Sequence, residues 1–119
     1  AGLEPGVADM RQRVEAVFVQ PSLPGRPAAE LALQHRLPSG SFVRSLVEQG
    51  GLLAYSNDLA EIARLVVEVV ERILRGASPA TLPVQQNTRF DLLLNLRTAR
   101  ALGLAVPQSL LLRADEVIE

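Results

Sequence analysis

Residues 50–75 read GGLLAYSNDLAEIARLVVEVVERILR, and how this stretch divides decides the fold. Leu52 to Tyr55 is a short apolar run that reads as a buried strand, bounded by Gly50-Gly51 before it and by Ser56-Asn57-Asp58 after it. From Leu59 the period changes. Polar Glu61, Arg64, Glu68, Glu71, Arg72 and Arg75 form one stripe. Leu59, Ile62, Val66, Val69, Val70, Ile73 and Leu74 form the other face of an amphipathic helix, broad enough to lie on a sheet. Asp58 is placed as N-cap with Glu61 three residues on, a capping-box pattern, and Gly76 follows the last turn. Glu68 with Arg72 and Glu71 with Arg75 stand in the favourable i,i+4 order. Capping and periodicity outvote the modest helix propensity of the valines.

A strand that passes into a helix leaves free backbone N–H groups and partial positive charge at the junction, and ligands of open α/β folds collect beside such ends. Residues 55–58 are therefore a candidate site. The alternative is a plain helix cap with nothing bound.

Upstream, Val7 to Arg13 reads as a helix remnant and Val14 to Val19 as a first strand, rich in β-branched residues. Three prolines make Gln20 to Pro27 a loop at the end of that strand. A short amphipathic helix is expected over Pro27 to Arg36, ending before Leu37-Pro38. Ser39 to Phe42 stands where the next strand belongs, although two serines and a glycine have poor strand propensity. Val43 to Gln49 has helical spacing, and Gly50 is its stop.

Downstream, Ala77 to Leu82 is a connector, Val84 to Gln86 reads as extended, and Phe90 to Leu94 is a second apolar strand. Asn95 caps a helix over Leu96 to Leu102 closed by Gly103. Pro107 opens another helix over Gln108 to Leu112, and Ala114 to Ile118 is a terminal extended segment. Strands alternating with helices indicate an α/β domain, one lobe over residues 1–119, with a mostly parallel sheet flanked by helices.

Composition narrows the function classes. The 119 residues are 48% hydrophobic, enough for one core. All twelve basic residues are arginines, interspersed with thirteen acids, so neither a nucleic-acid nor a membrane footprint is expected. Four aromatic residues, Phe18, Phe42, Tyr55 and Phe90, leave no stacking platform. Without cysteine there is neither disulfide nor thiolate chemistry. The first residues, AGLEPGVADM, lack the basic and apolar regions of a signal peptide, and no apolar run is long enough to span a bilayer.

Catalytic and cofactor chemistry has no constellation behind it. His35 is the single histidine, without a second ligand at metal spacing, and reads as a solvated helix residue. No serine lies in a Gly-x-Ser-x-Gly elbow. Asp115 and Glu116 are adjacent, so their side chains diverge, and they read as a solvated tail. A phosphate loop in its usual form needs a lysine, which the chain lacks. Neither an enzyme nor a cofactor is expected.

Residues 82–119, LPVQQNTRFDLLLNLRTARALGLAVPQSLLLRADEVIE, resemble the C-terminal end of ABC transporter substrate-binding proteins of the tryptophan/tyrosine-type uptake group. ELALQHRLP (30–38) and LVEQGGLLAYSNDLAEIARLVVEVVERILRGASPATLP (46–83) are similar to that family's helix, Gly-Gly turn, Tyr-containing loop and long helix. The resemblance implies one Rossmann-like lobe of a type I periplasmic-binding fold. Two such lobes clamp a small organic solute and dock onto an ABC permease outside the cytoplasm. It implies a missing N-terminal lobe and a periplasmic or extracytoplasmic setting for the full-length protein. By position, Tyr55 matches the tyrosine of the family's Ser-Tyr-Gly-Pro loop, and Asp58 the polar residue opening the long helix. Ser56-Asn57 stands where the family has Gly-Pro, and Ser39-Gly40-Ser41 replaces a more apolar run.

The implied ligand-binding set is Tyr55, Ser56, Asn57 and Asp58 with Pro21, Ser22, Ser41 and Phe42 from the two other cleft loops. The expected function is half of a small-molecule cleft, with an amino-acid-like solute. The alternative is a scaffold module in which an isolated lobe self-associates as a homo-oligomer through its uncovered apolar surface.

Overall fold

A computed structural model describes residues 2–119. Chain contacts divide the described residues into two compact units, 2–56 with 91–119, and 57–90.

The first unit is built on parallel pairing. Strands β1 (Val17–Val19), β2 (Ser39–Ser41) and β3 (Leu53–Asn57) lie side by side, followed in the sheet by β4 (Phe90–Asn95) and β5 (Glu116–Ile118). Val19 stands level with Ser41, and Ser41 with Ala54, so the carboxyl ends of β1, β2 and β3 share one edge. β4 and β5 are likewise parallel, with Leu94 opposite Val117. The backbone N–H of Asn95, at the end of β4, donates to Leu52 O just before β3 begins (2.9 Å), and that of Asp58, just past β3, donates to Arg89 O just before β4 (3.2 Å), so β3 and β4 run in opposite directions. The sheet is thus mostly parallel, as expected, with one reversal at its middle.

Helices α1 (Glu4–Met10), α2 (Gly25–Gln34), α3 (Arg44–Glu48), α5 (Leu96–Leu102) and α6 (Gln108–Arg113) belong to this unit. Val19, Ala28, Ala29 and Leu46 form one buried cluster, and Val47, Ala54 and Leu93 form another with Ile118 against it. Adjacent Leu46 and Val47 of α3 thus serve both. Backbone approach is close here: a Cβ on Gly51 would stand 2.8 Å from Leu46 Cγ and 3.0 Å from Leu46 O, so only glycine fits without a shift.

Two sequence expectations are corrected in this unit. The 20–27 segment is not all loop, because α2 begins at Gly25 with Pro27 in its first turn. There the missing N–H would have had no helical partner anyway. The strand whose place was read at 39–42 does form, over Ser39–Ser41, as an interior strand with every residue buried despite the poor propensity of its residues. Strand propensity measures fit to the surroundings, and small residues suit a strand close to α2 and α3. Ser41 Oγ donates to Val19 O at 2.8 Å and accepts from Val43 N at 3.2 Å, so its hydroxyl is satisfied inside the core. The terminal acids are also more than a solvated tail. Asp115 Oδ2 accepts from Leu92 N at 2.7 Å, and Glu116 pairs with Arg44 of α3, which also holds Glu48 at 2.9 Å.

The second unit carries α4 (Leu59–Leu74) and a 3₁₀ turn at Pro79–Thr81. Asp58 is the N-cap, as read from the sequence, its Oδ1 accepting from Ala60 N (2.9 Å) and Glu61 N (3.2 Å). The reciprocal half of the capping box is absent: Asp58 N donates to Arg89 O (3.2 Å), and Glu61 turns to Arg64 (2.6 Å). Arg64 also takes Glu68, in place of the expected Arg72 pair, while Glu71 pairs with Arg75 at 2.5 Å. Gly76, at φ +104, closes the helix with bonds from Gly76 N to Ile73 O and from Ala77 N to Arg72 O, both 3.0 Å. The 84–86 segment, expected to be extended, forms no regular strand. No residue of α4 is buried, and residues from 79–87 of the same unit line a groove along its apolar face with Ile62, Val66, Val69 and Ile73.

Candidate functional site

In an open parallel sheet the crevice outside the carboxyl ends of the strands is where backbone donors and variable loops converge. In the first unit that edge brings together the loop after β1, the loop after β2 and the end of β3. Pro21 and Ser22 are exposed in the first, a turn closed by Leu23 N donating to Gln20 O at 3.1 Å. Phe42 follows β2 and is exposed, its ring 4.6 Å from that of Phe18 in an edge-on contact. Ser41 sits below this surface at 2% exposure, its hydroxyl engaged as described.

β3 runs further than the sequence suggested. Ser56 and Asn57 lie within the strand and not in a loop, because the chain stays paired until Asp58. The alternation of a strand then decides what each residue can reach. Tyr55 is 53% exposed, whereas Ser56 is turned into the interior. Of the two, only the tyrosine ring is presented to solvent. It shares a sheet face with Phe18 and Phe42, since Phe18 is level with Gly40 and Gly40 with Leu53.

A cavity of about 160 Å³ lies behind the first two loops, lined by Pro21 and Ser41 together with Gln20, Ser45 and Gln49. Gln20 opens the first of the two loops that the family resemblance assigned to the cleft, whereas Ser45 and Gln49 were missed in the sequence. Gln49 ends α3 and its Oε1 is buried with no hydrogen-bond partner among the described residues. The fold brings it back to Gly25, whose absent Cβ would stand 2.9 Å from that oxygen. No local motif announces that approach, because it joins residues 24 positions apart.

In the second unit, Asn57 Oδ1 accepts from Asn87 Nδ2 at 3.1 Å. Asp58 fills the first turn of α4 with its own carboxylate and places its other oxygen 3.5 Å from Arg89 Nε. The donors that made this helix end a candidate anion site are thus partly satisfied from within. Among the described residues no group of three or more His, Asp or Glu stands together as metal ligands, and no helix is long and apolar enough to cross a membrane.

Three parallel strands of an open α/β lobe end at a common edge, where the exposed Tyr55 and the loops after β1 and β2 also lie. The chain belongs to the ABC transporter substrate-binding protein family, whose sequence pattern matches residues 29–118.

Solved structures agree on the fold. A conserved domain protein from Vibrio cholerae is 23% identical and superposes with a TM-score of 0.86 over 97% of this chain and 40% of its own. The ABC domain from Streptococcus pneumoniae, solved in complex with L-Trp, is 26% identical, with a TM-score of 0.82 over 98% of this chain and 42% of its own. A substrate-binding protein with adhesive properties from Clostridium difficile, in a ligand-free, open structure, is 18% identical, with a TM-score of 0.74 over 98% and 40%. The chain therefore spans about 40% of the length of these relatives. No curated protein matches it in sequence.

Proposed function

We propose that this chain is the solute-binding lobe of an ABC uptake system, contributing one wall of a small-molecule cleft. The observation that carries the reading is the exposed Tyr55 ring at the common carboxyl edge of three parallel strands, in a chain that belongs to the substrate-binding family. Phe42, Pro21 and Ser22 line the same edge and would meet the solute from the neighbouring loops. Ser41 and Ser56, buried beneath, shape that wall without reaching the solute. Asn57 and Asp58 hold the chain where β3 passes into α4. The chain binds its solute without converting it.

An aromatic ring at the edge of a polar wall suits a small amphipathic solute, whose apolar part packs on the ring while its polar groups meet backbone donors. An amino acid has that character, and L-Trp is the ligand seen in the Streptococcus pneumoniae relative. The remainder of the cleft would come from a second lobe, and the loaded protein would deliver its solute to an ABC permease outside the cytoplasm. Calorimetric titration with aromatic and aliphatic amino acids tests the reading. Tyr55→Ala is expected to weaken the preferred solute by roughly tenfold or more, the scale of losing a buried aromatic anchor. Unchanged affinity would remove Tyr55 from the site.

A further inference from the structure

The cavity behind the loops after β1 and β2 lies wholly within the first unit. Its volume of about 160 Å³ is room for several waters at roughly 30 Å³ each, and it falls short of the roughly 300 Å³ at which pockets for whole small molecules begin. It therefore suits one polar group of a solute and not the solute entire. Gln20 and Ser45 in its lining are exposed, so it is open to solvent. Ser41 and Val43, the chain neighbours of Phe42, line it too, which places it beside the wall from which Phe42 projects.

Two features of the lining ask for opposite partners. Gln49 Oε1 is buried and receives no hydrogen bond among the described residues. An amide oxygen left in that state is costly, and folded chains seldom keep one unless a donor comes from elsewhere. Across from it α2 starts at Gly25, and no side chain caps that first turn, so its N–H groups carry the partial positive charge of a helix start. None of the described residues that line the cavity is charged. A lone cation or anion would lose its hydration there without compensation, whereas a head group carrying both signs brings its own counter-charge. An ammonium group only donates and matches Gln49 Oε1; a carboxylate only accepts and matches the helix start. The two on one carbon are the head of an α-amino acid.

Resting on the reading that this lobe binds an amino-acid-like solute, we propose that the cavity is the subsite for the solute's head group. Gln49 Oε1 accepts from the α-ammonium, and the first turn of α2 faces the α-carboxylate. Gln49 is then a specificity-determining residue, selecting amino acids over the carboxylic acids that lack the amino group.

Calorimetric titration of the 119-residue chain with L-tryptophan and L-leucine, each beside the carboxylic acid that lacks only its amino group, tests the subsite. Gln49→Met keeps the length of the side chain and removes the oxygen. The preference of the wild type for the better-bound amino acid over its matching acid should fall by roughly tenfold or more in this variant, the scale of one hydrogen bond to a charged group. Affinity for the acid itself should stay unchanged. Without solute, the urea midpoint of Gln49→Met should be no lower than that of the wild type, because the substitution removes an unpaired acceptor, and this shows that the variant folds. Equal binding of the amino acid by variant and wild type would leave the cavity to water and overturns the subsite. So does an equal loss for the matching acid, which would put the carboxylate and not the ammonium at Gln49. A wild type that binds none of the four compounds overturns the solute reading and the subsite with it, so the two failures are told apart.

Discussion

At the scale of single residues, several of the side chains that mark the candidate site turn out to be structural. Asp58 was read first as a cap and second as part of a ligand site, and its carboxylate is engaged by Ala60 N, Glu61 N and Arg89. Replacing it by alanine is expected to destabilise the chain by about 1 kcal/mol, the usual loss for an N-cap, with Asp58→Asn retaining most of the stability because an amide oxygen caps as well. Urea denaturation midpoints check this, and an asparagine variant as weak as the alanine one would show that charge, not capping, holds the turn. Asn95 is the clearer case of a legible residue. The sequence placed it as the cap of α5, and its Oδ1 does accept from Thr98 N at 3.1 Å. Its amide nitrogen also donates to Val47 O at 3.0 Å, a contact 48 positions away that no local pattern could show.

At the scale of elements, the long helix was legible in type and extent but not in its setting. Periodicity reports which residues share a face, not what that face meets: the stripe was read as broad enough to lie on a sheet, and no residue of α4 is buried. β2 stands where the alternation of elements put it, although Ser39-Gly40-Ser41 has poor strand propensity, and it is buried beside α2 and α3, where small side chains fit. The charge pattern of α4 makes a pH prediction. The hydrogen bond from Arg64 holds the Glu61 carboxyl below its ordinary value of 4.5, with further help from the charges of Arg64 and Arg89 and against the opposing effect of burial. An acid whose value is lowered by folding contributes stability above the pH at which the unfolded group titrates, and that contribution is lost as the pH falls through the folded value. Thermal melts from roughly pH 7 to roughly pH 3 should therefore show acid destabilisation that is shallower in Glu61→Gln. The loss should be small, because the pair is exposed to solvent. An identical acid limb in both proteins would contradict the assignment.

At the scale of the whole molecule, the alternation of strands and helices was enough to give an α/β lobe with a mostly parallel sheet, and 97–98% of the chain superposes on three solved structures of the same fold. The reversal between β3 and β4 was not legible, because hydrophobic runs carry no direction. The candidate site was legible as a place, the carboxyl edge of the strands, and less so as a list of residues. Strand alternation separates Tyr55 from Ser56, and chain return brings in Gln49. The central claim is that solute meets this lobe at that edge. The most direct measurement is an amide correlation spectrum of the isotope-labelled chain during titration with L-tryptophan and a panel of other amino acids. The account predicts that, for one of them, the amides of Phe42, Tyr55 and Ser56 move together and saturably, with those of α6 and β5 unmoved. Amides that shift only along α6 and β5, or none that shift at saturating concentrations of every solute, would contradict it.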